Sequence, residues 1–406
     1  MTRLSSVADA SCCLICATEH NACMDPVSST CDFALHARPN LFEIDLGAIA
    51  QFTRHIREYV GENVTVCAAL KCNAYGFGLL RVARTVLAAG ADMLSMVDPM
   101  NAIELRRAGE TAPILVYPGS VAAPQSVRDA EMFDFIPTLI DLGSAKLYSR
   151  CATKPLRVAV KVDIGQERLG FPAEEAAAAI GVIAALPNLE VHIVNAHPNV
   201  PSPPSLDYLD WQLDRFAAMC RQLEARGLNV PIRMVASSKI LALSRKAIFN
   251  AVDPGQMFFG PFRAEGDVPW PAGRSAFAKL TSRLIHVRTL NRKEFLAQAP
   301  FPMRPGMRLG VMPIGSADGM TQLHCDEVLV RGRRAKLLGN PSLEHTRLDL
   351  SEIEEAAVGD EVVIIGKQGG DTITTEAVVA HQRHARIADL AMAIRPSIPR
   401  NYLEPE

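Results

Sequence analysis

The sequence predicts an α/β protein in which a (β/α)8 TIM barrel is followed by a mainly β C-terminal domain. Between Val64 and Val252, eight short apolar segments alternate with segments long enough for helices. Reactive side chains follow the ends of several of these apolar segments. From roughly Ser275 onwards, short strand-like runs between turn signals replace the alternation. An open doubly wound sheet is the alternative, but it usually carries a glycine fingerprint after its first strand, and GxGxxG is absent here.

The bulk composition favours a small-molecule enzyme over a nucleic-acid or membrane-binding protein. Lys plus Arg number 42 and Asp plus Glu 44, so the formal net charge is −2. No basic patch is expected that would bind nucleic acid or an anionic membrane. The apolar runs are shorter than the roughly 18 residues of a spanning helix. We expect a cytoplasmic protein.

Residues 1–38 form a cysteine-rich extension that we expect to be disordered. Five of the ten cysteines lie there, and Cys13-Leu-Ile-Cys16 has the spacing of a metal or redox pair. No second pair follows at a useful distance, so no metal site is expected. A signal peptide is the alternative, but the apolar stretch after Arg3 is short and Asp9 interrupts it.

The first two elements after the extension are a strand and a helix. The alternating segment Leu41–Leu46 predicts a half-buried strand, and the apolar spacing within Ala48–Val60 predicts an amphipathic helix. The eight predicted barrel strands are Val64–Leu70, Asp92–Val97, Pro113–Pro118, Met132–Pro137, Leu156–Val162, Glu190–Ala196, Ile232–Ser237 and Ala247–Val252. Among the intervening helices are Leu79–Ala89, Ala173–Ala185 and Asp207–Arg226.

The barrel is expected to span residues 39–272 and the second domain residues 273–406. Predicted strands of the second domain are Lys279–Val287, Met307–Pro313, Glu327–Val330, Glu361–Ile365 and Ala377–Val379. Two helical segments, Leu350–Val358 and Ile387–Ile394, are expected to interrupt them.

Chemistry in a TIM barrel is found at the C-terminal ends of its strands, and phosphate is typically bound by the loops after strands seven and eight. Lys71 follows predicted strand one. This lysine is either a solvated cation or a buried amine suited to forming a Schiff base. The other strand ends carry Lys161 and Asp163, His197, Ser237-Ser238 and Asp253-Pro-Gly255. Hydroxyls and a glycine loop at the last two positions suit a phosphate group.

Several motifs resemble those of the alanine racemase family. Ala68-Ala-Leu-Lys71-Cys-Asn-Ala-Tyr75-Gly-Phe-Gly78 is similar to that family's pyridoxal-phosphate lysine motif, and Lys161-Val-Asp-Ile-Gly-Gln-Glu-Arg168-Leu-Gly-Phe171 is similar to its arginine segment. Four further motifs follow in family order: Ala236-Ser-Ser238, Asp253-Pro-Gly255, Pro313-Ile-Gly-Ser-Ala-Asp-Gly319 and Gly366-Lys-Gln-Gly-Gly-Asp371. The resemblance covers about residues 39 to 405 and implies the same fold as the pattern, with the strand at residues 41–46 joining the second domain.

The resemblance also implies a role for each site residue. Lys71 is the implied catalytic residue, and it binds pyridoxal 5'-phosphate. The implied cofactor contacts are Tyr75, Ser238 and Gly255 at the phosphate, Asp253 at the ring nitrogen, Arg168 at the phenolic oxygen, and His197 as an orienting group. The implied substrate contacts are Arg168 at the carboxylate and Leu343 from a partner subunit, while Lys161 corresponds to a lysine that is commonly carbamylated.

Each of these assignments has a plain structural alternative. Arg168 could form a surface ion pair with Asp163 or Glu167. His197 could be a core histidine, Lys161 could pair with an acid, and Asp253 could cap a turn.

Three departures from the family pattern bear on the reaction. Asp253 stands where the family has an arginine, and a carboxylate there stabilises a protonated pyridine ring, which is a stronger electron sink. The family's second base, a tyrosine, is absent from Asn291–Pro300. Ser316 replaces a further tyrosine, another expected near Ala388 is missing, and the family's Cys-Met-Asp triplet reads Ser342-Leu-Glu344.

We therefore expect a pyridoxal-phosphate-dependent racemase or epimerase acting on a small amino acid, and a homodimer with shared active sites. A lyase, decarboxylase, aldolase or aminotransferase on the same scaffold is the first alternative. A non-catalytic cofactor-binding paralogue is the second.

Overall fold

A computed structural model describes residues 38–260, 274–294, 296–323, 325–380 and 386–405. Disorder is expected for residues 1–38, of which 1–37 lie outside the described residues, as does the predicted domain boundary at residue 272. The chain divides into residues 1–39 and a body that begins at Asn40.

The first half of the body contains ten strands within the described residues. They are β1 (Leu41–Asp45), β2 (Thr65–Ala69), β3 (Met93–Met96), β4 (Ile114–Val116), β5 (Phe135–Leu139), β6 (Leu156–Asp163), β7 (Phe171–Pro172), β8 (Leu189–Asn195), β9 (Ile232–Ala236) and β10 (Ala251–Val252). Eight of them pair in parallel in the order β2-β3-β4-β5-β6-β8-β9-β10, and β10 pairs with β2 to close the ring. The predicted TIM barrel is confirmed, and the short strand β7 lies outside the ring on β6.

Helices alternate with these strands along the chain. They are α1 (Leu46–Val60), α2 (Leu79–Ala88), α3 (Pro99–Arg107), α4 (Pro124–Met132), α5 (Leu142–Cys151), α6 (Ala173–Ala184), α7 (Leu206–Ala225) and α8 (Ser238–Leu243). Acceptor side chains set several of the starts: the carboxylates of Asp45, Asp98 and Asp141 accept from backbone N–H groups in the first turns of α1, α3 and α5. The spacing that predicted α1 is confirmed, because Ile49, Phe52, Ile56 and Val60 are all buried.

The second half of the body forms a mainly antiparallel sheet. Its strands are β11 (Phe277–Arg283), β12 (His286–Thr289), β13 (Arg308–Met312), β14 (Glu327–Val330), β15 (Arg333–Leu337), β16 (Thr346–Asp349), β17 (Glu361–Gln368), β18 (Asp371–Ile373) and β19 (Arg400–Leu403). The helices here are α9 (Met320–Leu323), α10 (Thr375–Ala380) and α11 (Ile387–Ala393). Strand β1 belongs to this sheet, pairing antiparallel with β11 and parallel with β19.

Three predicted elements of this half are wrong. The predicted strand Lys279–Val287 is two strands, because the chain leaves β17, the partner of β11, and pairs with β13 as β12. The predicted strand Ala377–Val379 lies in helix α10, because the Thr374 hydroxyl accepts from the Ala377 N–H and caps a helix start. The predicted helix Leu350–Val358 is a series of turns. In these turns the Ile353 N–H donates to the Leu350 carbonyl and the Ala356 N–H to the Ile353 carbonyl, so that apolar residues three apart are buried without a helix.

The barrel strands differ from the predicted bounds by a few residues, and the two largest shifts in a strand start are in β5 and β10. Met132 ends helix α4, so β5 begins later than expected. The last barrel strand is only Ala251–Val252, because Arg245–Ala247 forms a 3-10 turn.

The second half packs closely against the loop that follows β2. A Cβ atom on Gly76 would lie 2.4 Å from the Ala391 carbonyl oxygen, so only glycine permits this approach. The half-buried Arg400 donates from Nε to the Gly76 carbonyl at 3.2 Å and from Nη1 and Nη2 to four further carbonyls, those of Ile394, Arg395, Pro396 and Ile398.

Among the described residues, no helix has the length and apolar character needed to span a bilayer.

Candidate active site

Successive layers of side chains fill the barrel, because alternate residues of each strand point inward. The lower layer is apolar and takes one residue from each strand: Cys67, Met93, Leu115, Ile136, Ala159, Ile193, Met234 and Ala251. Two residues further along, β4, β6, β8 and β10 lead to Tyr117, Lys161, Asn195 and Asp253. These four residues form a polar layer at the C-terminal mouth, which we call the polar floor, and the apolar layer lies directly beneath it.

Lys71 follows β2 at this mouth and is half-buried. Its Nζ lies 5.0 Å from the centroid of the Tyr117 ring. The next four residues, Cys72 to Tyr75, have φ angles between +52° and +56°, forming a left-handed turn of non-glycine residues. Such a conformation costs roughly 1–2 kcal/mol per residue and persists only where the surroundings enforce it.

Tyr75, Ser238 and Gly255 come together on one side of the mouth. The buried Ser238 Oγ accepts from the Gly255 N–H at 2.9 Å and from the Met257 N–H at 3.3 Å. Its own proton is thus left for donation to a ligand. A Cβ atom on Gly255 would lie 2.3 Å from Tyr75 Oη, so the absence of a side chain there lets the tyrosine hydroxyl reach this backbone. These groups form a set of donors that suits a phosphate.

Asp253 is buried on the polar floor. Its Oδ2 accepts a hydrogen bond of 2.7 Å from the Tyr117 hydroxyl. Its Oδ1 is buried and has no hydrogen-bond partner among the described residues. Asp253 therefore does not cap a turn, because its Oδ2 accepts from Tyr117 on another strand of the barrel.

Lys161 and Asn195 are register partners on β6 and β8. Lys161 is 7% exposed, and burial lowers the pKa of its amine to about 8, despite the opposing charge of Asp253. Within the described chain, no carboxylate pairs with it at salt-bridge distance. The amide of Asn195 is also buried, and neither Nδ2 nor Oδ1 has a partner there.

Arg168 lies on a loop that Asp163 organises. The Asp163 carboxylate accepts from the backbone N–H groups of residues 165 to 168 at 2.8 to 3.2 Å. Burial opposes its charge, but these bonds outweigh burial and lower the pKa of Asp163. The carboxylate therefore fixes the Arg168 backbone, while the exposed guanidinium makes no ion pair with a described residue.

His197 follows β8 and is largely buried. Burial lowers the pKa of the imidazole to about 4, and the nearby cations Lys161, Lys71 and Arg168 act in the same direction, against Asp253. The imidazole is therefore neutral near pH 7.

Leu343 does not join this cluster within one chain. It is 70% exposed on a loop of the second half, where its carbonyl accepts from the Ala317 N–H.

Sequence reasoning missed Tyr117 and Asn195. Tyr117 ends an apolar run and fits the interior of a strand, although its position at a barrel strand end was an available signal. Asn195 had the same signal, since it precedes His197 by two residues at the end of the same strand.

The arrangement can be compared with known families. The description "Alanine racemase, N-terminal domain" matches residues 44–262, and "Alanine racemase, C-terminal domain" matches residues 277–402. The chain belongs to the alanine racemase family. Members of this family are pyridoxal-phosphate-dependent amino-acid racemases, and this chain is an isomerase of that kind. No comparison favours the lyase, decarboxylase, aldolase or aminotransferase alternatives.

Similarity extends over nearly the whole body. Alanine racemase 2 of Caldanaerobacter subterraneus is 29% identical over 373 residues, covering 90% of this chain and 95% of that protein. The alanine racemase of Desulforamulus reducens is 31% identical over 331 residues, covering 80% and 89%. The crystal structure of the Bacillus anthracis alanine racemase, which holds bound L-Ala-P, has a TM-score of 0.80 at 25% identity and covers 91% of this chain and 96% of that one.

The residues present fit pyridoxal phosphate. The phosphate would meet the hydroxyls of Ser238 and Tyr75 and the Gly255 backbone. The buried Oδ1 of Asp253 is an acceptor without a protein donor among the described residues, which suits a protonated ring nitrogen. Across the same residues, no group of His, Cys, Asp or Glu side chains is placed to hold a metal ion.

Proposed function

We propose that this protein interconverts L- and D-alanine with pyridoxal phosphate held at Lys71. The observation that carries the proposal is the half-buried Lys71 at a barrel mouth that also presents a phosphate-type donor set and the buried carboxylate of Asp253. The alanine racemases to which the chain is similar support the choice of substrate.

The roles of the residues follow from their chemistry. Bound pyridoxal phosphate would draw electrons from the substrate and so acidify its Cα proton. The Lys71 amine would take or return that proton on one face of Cα, and inversion requires a second acid-base group on the opposite face. The exposed Arg168 guanidinium would bind the substrate carboxylate through its planar fork. Neutral His197 would hold neighbouring groups in position without adding charge.

Deuterium incorporation tests the proposal. Purified protein, loaded with cofactor, is incubated with L-alanine or D-alanine in deuterated buffer, and both enantiomers should appear with deuterium at Cα. K71A should lower the rate at least about 100-fold, because a positioned acid-base group contributes that much. K246A, which removes an exposed lysine paired with Asp210, is the control and should leave the rate unchanged. Deuterium with retained configuration, or release of a keto acid, would contradict the proposal.

We also propose that Lys161 carries a carbamate. An amine with a pKa of about 8 is partly neutral near that pH and can add carbon dioxide, and the amide of Asn195 is an adjacent donor for the new oxygens. Carbon-13 bicarbonate should give a carbamate resonance that K161Q abolishes. A spectrum without this resonance would refute the modification.

The proposed assembly is a homodimer in the cytoplasm. The exposure of Leu343, in the triplet that the family extends to its partner, supports shared sites. The free thiols of the five described cysteines support a reducing compartment. Analytical ultracentrifugation should find twice the mass of one chain, and a single-chain mass would rule the dimer out.

A further inference from the structure

Tyr117 and Asp253 form a buried pair on the polar floor. Tyr117 is 9% exposed and Asp253 6%, and the tyrosine hydroxyl donates to only one of the two carboxylate oxygens. A buried carboxylate oxygen without a donor is costly, so native proteins rarely leave one in that state. The half-bonded carboxylate therefore points to a donor that the described polypeptide does not supply.

The groups around Asp253 come from β2 and the loop after it and from the ends of β4, β6 and β8. Those that interact with its charge are Cys67, Tyr75, Tyr117, Lys161 and His197, and Lys71 lies over the Tyr117 ring. None of them donates a hydrogen bond to Oδ1. Oδ1 is thus left without a donor among the described residues, while Oδ2 is already occupied by the Tyr117 hydroxyl.

We propose that Tyr117 is a positioning residue, which holds Asp253 through Oδ2 so that the charged carboxylate presents Oδ1 to the cofactor's ring nitrogen and keeps that nitrogen protonated. This inference rests on the proposed function, because it requires pyridoxal phosphate at Lys71.

The physical basis is the sharing of one proton. Between Oδ1 and the ring nitrogen, the proton lies either on nitrogen, leaving a carboxylate, or on Oδ1, leaving a neutral acid. A hydroxyl that donates to Oδ2 favours the charged carboxylate and so favours the proton on nitrogen. Burial and the Asp253 charge raise the pKa of the Tyr117 hydroxyl well above its usual value, so it remains a donor.

The test uses full-length protein loaded with pyridoxal phosphate labelled with nitrogen-15 at the ring nitrogen. The nitrogen chemical shift reports protonation directly, independently of turnover. Wild type should show a protonated nitrogen at neutral pH. Y117F, which removes only the hydroxyl, should move the resonance towards the unprotonated position and lower the apparent pKa of the ring nitrogen by about one unit or more. D253N should abolish protonation.

A double-mutant cycle separates positioning from a general effect of the substitution. If Tyr117 acts through Asp253, adding Y117F to D253N should produce no further change. Y148F, which removes the hydroxyl of another buried tyrosine, on helix α5 and beside Ser126, is the matched control and should match wild type.

Two results would overturn the proposal: a wild-type nitrogen shift in Y117F, or a nitrogen that stays protonated in D253N. If Y117F does not fold, D253N still tests the proposal, because a ring nitrogen that stays protonated without the Asp253 carboxylate would overturn it. Failure of the wild-type protein to bind the labelled cofactor through Lys71 would instead refute the proposed function, and it is recognised by an identical spectrum in K71A.

Discussion

His197 illustrates how the barrel mouth controls charge at the scale of one residue. Its pKa is about 4 in the folded protein against about 6.5 for an unperturbed imidazole, mainly because it is buried. Between these values the unfolded chain binds more protons than the folded one. The free energy of unfolding therefore falls as the pH is lowered from 7 towards 4.

H197Q should reduce this acid sensitivity. The loss of unfolding free energy between pH 7 and pH 5 should be smaller than in wild type by about 2 kcal/mol, because glutamine does not titrate. Urea unfolding of the cofactor-free protein at the two pH values measures it. H286Q, at an exposed histidine, should behave as wild type, and an equal loss in H197Q and wild type would show that His197 is not responsible.

Residue types predict much of the candidate site, and geometry adds the rest. Lys71, Ser238 and Asp253 are predictable because lysine, serine and aspartate are unusual after apolar strands. Tyr117 is not, because an aromatic residue at the end of Ile114–Val116 fits a core position equally well. Its role becomes visible only in the structure, where its hydroxyl donates to Asp253, 136 residues away in the sequence.

At the scale of the element, the left-handed turn after Lys71 is the least predictable feature of the fold. Cys72, Asn73, Ala74 and Tyr75 carry no glycine that would signal positive φ. The strain is imposed by tertiary contacts, which local sequence does not encode. The barrel strands are predictable because their burial on both faces yields continuous apolar runs, whereas α10 shows that a short β-branched run after a threonine cap can become a helix.

Substitutions at Cys72 measure the strain in this turn. Its side chain is exposed, so backbone preference decides the outcome. C72G should raise the free energy of unfolding by up to about 1 kcal/mol, because glycine adopts positive φ freely. C72V should lower it by about 1 kcal/mol or more, because a β-branched residue fits this region worst. Thermal unfolding measures both, and equal stability of the two variants would contradict a strained turn.

At the scale of the whole molecule, Arg400 joins the two halves of the body. Its guanidinium bonds the carbonyl of Gly76, beside the turn, and four carbonyls in the segment from Ile394 to Ile398. The second half thus stabilises the loop that follows Lys71. This is separate from the contribution that we propose it makes to the active site of a partner subunit.

R400Q should weaken these contacts between the two halves. It should lower the free energy of unfolding by at least about 2 kcal/mol, because hydrogen bonds from a charged donor are lost and carbonyls are left unpaired. Cofactor should also dissociate several-fold faster during dialysis, followed by its visible absorbance. R331Q removes an exposed ion pair with Asp360 and should cost less than about 1 kcal/mol. Unchanged cofactor retention in R400Q would show that Arg400 serves the fold alone.

The pairing of β1 with β19 has a consequence for biosynthesis. The strand that opens the body and the strand that closes it are neighbours in one sheet, and Arg400 in β19 also reaches the loop after Lys71. A ribosome makes β19 after it has made the whole barrel. The barrel can therefore be complete on a nascent chain while its lysine loop still lacks the contacts that enforce the left-handed turn. Capture of the cofactor in its final geometry should therefore follow synthesis of β19.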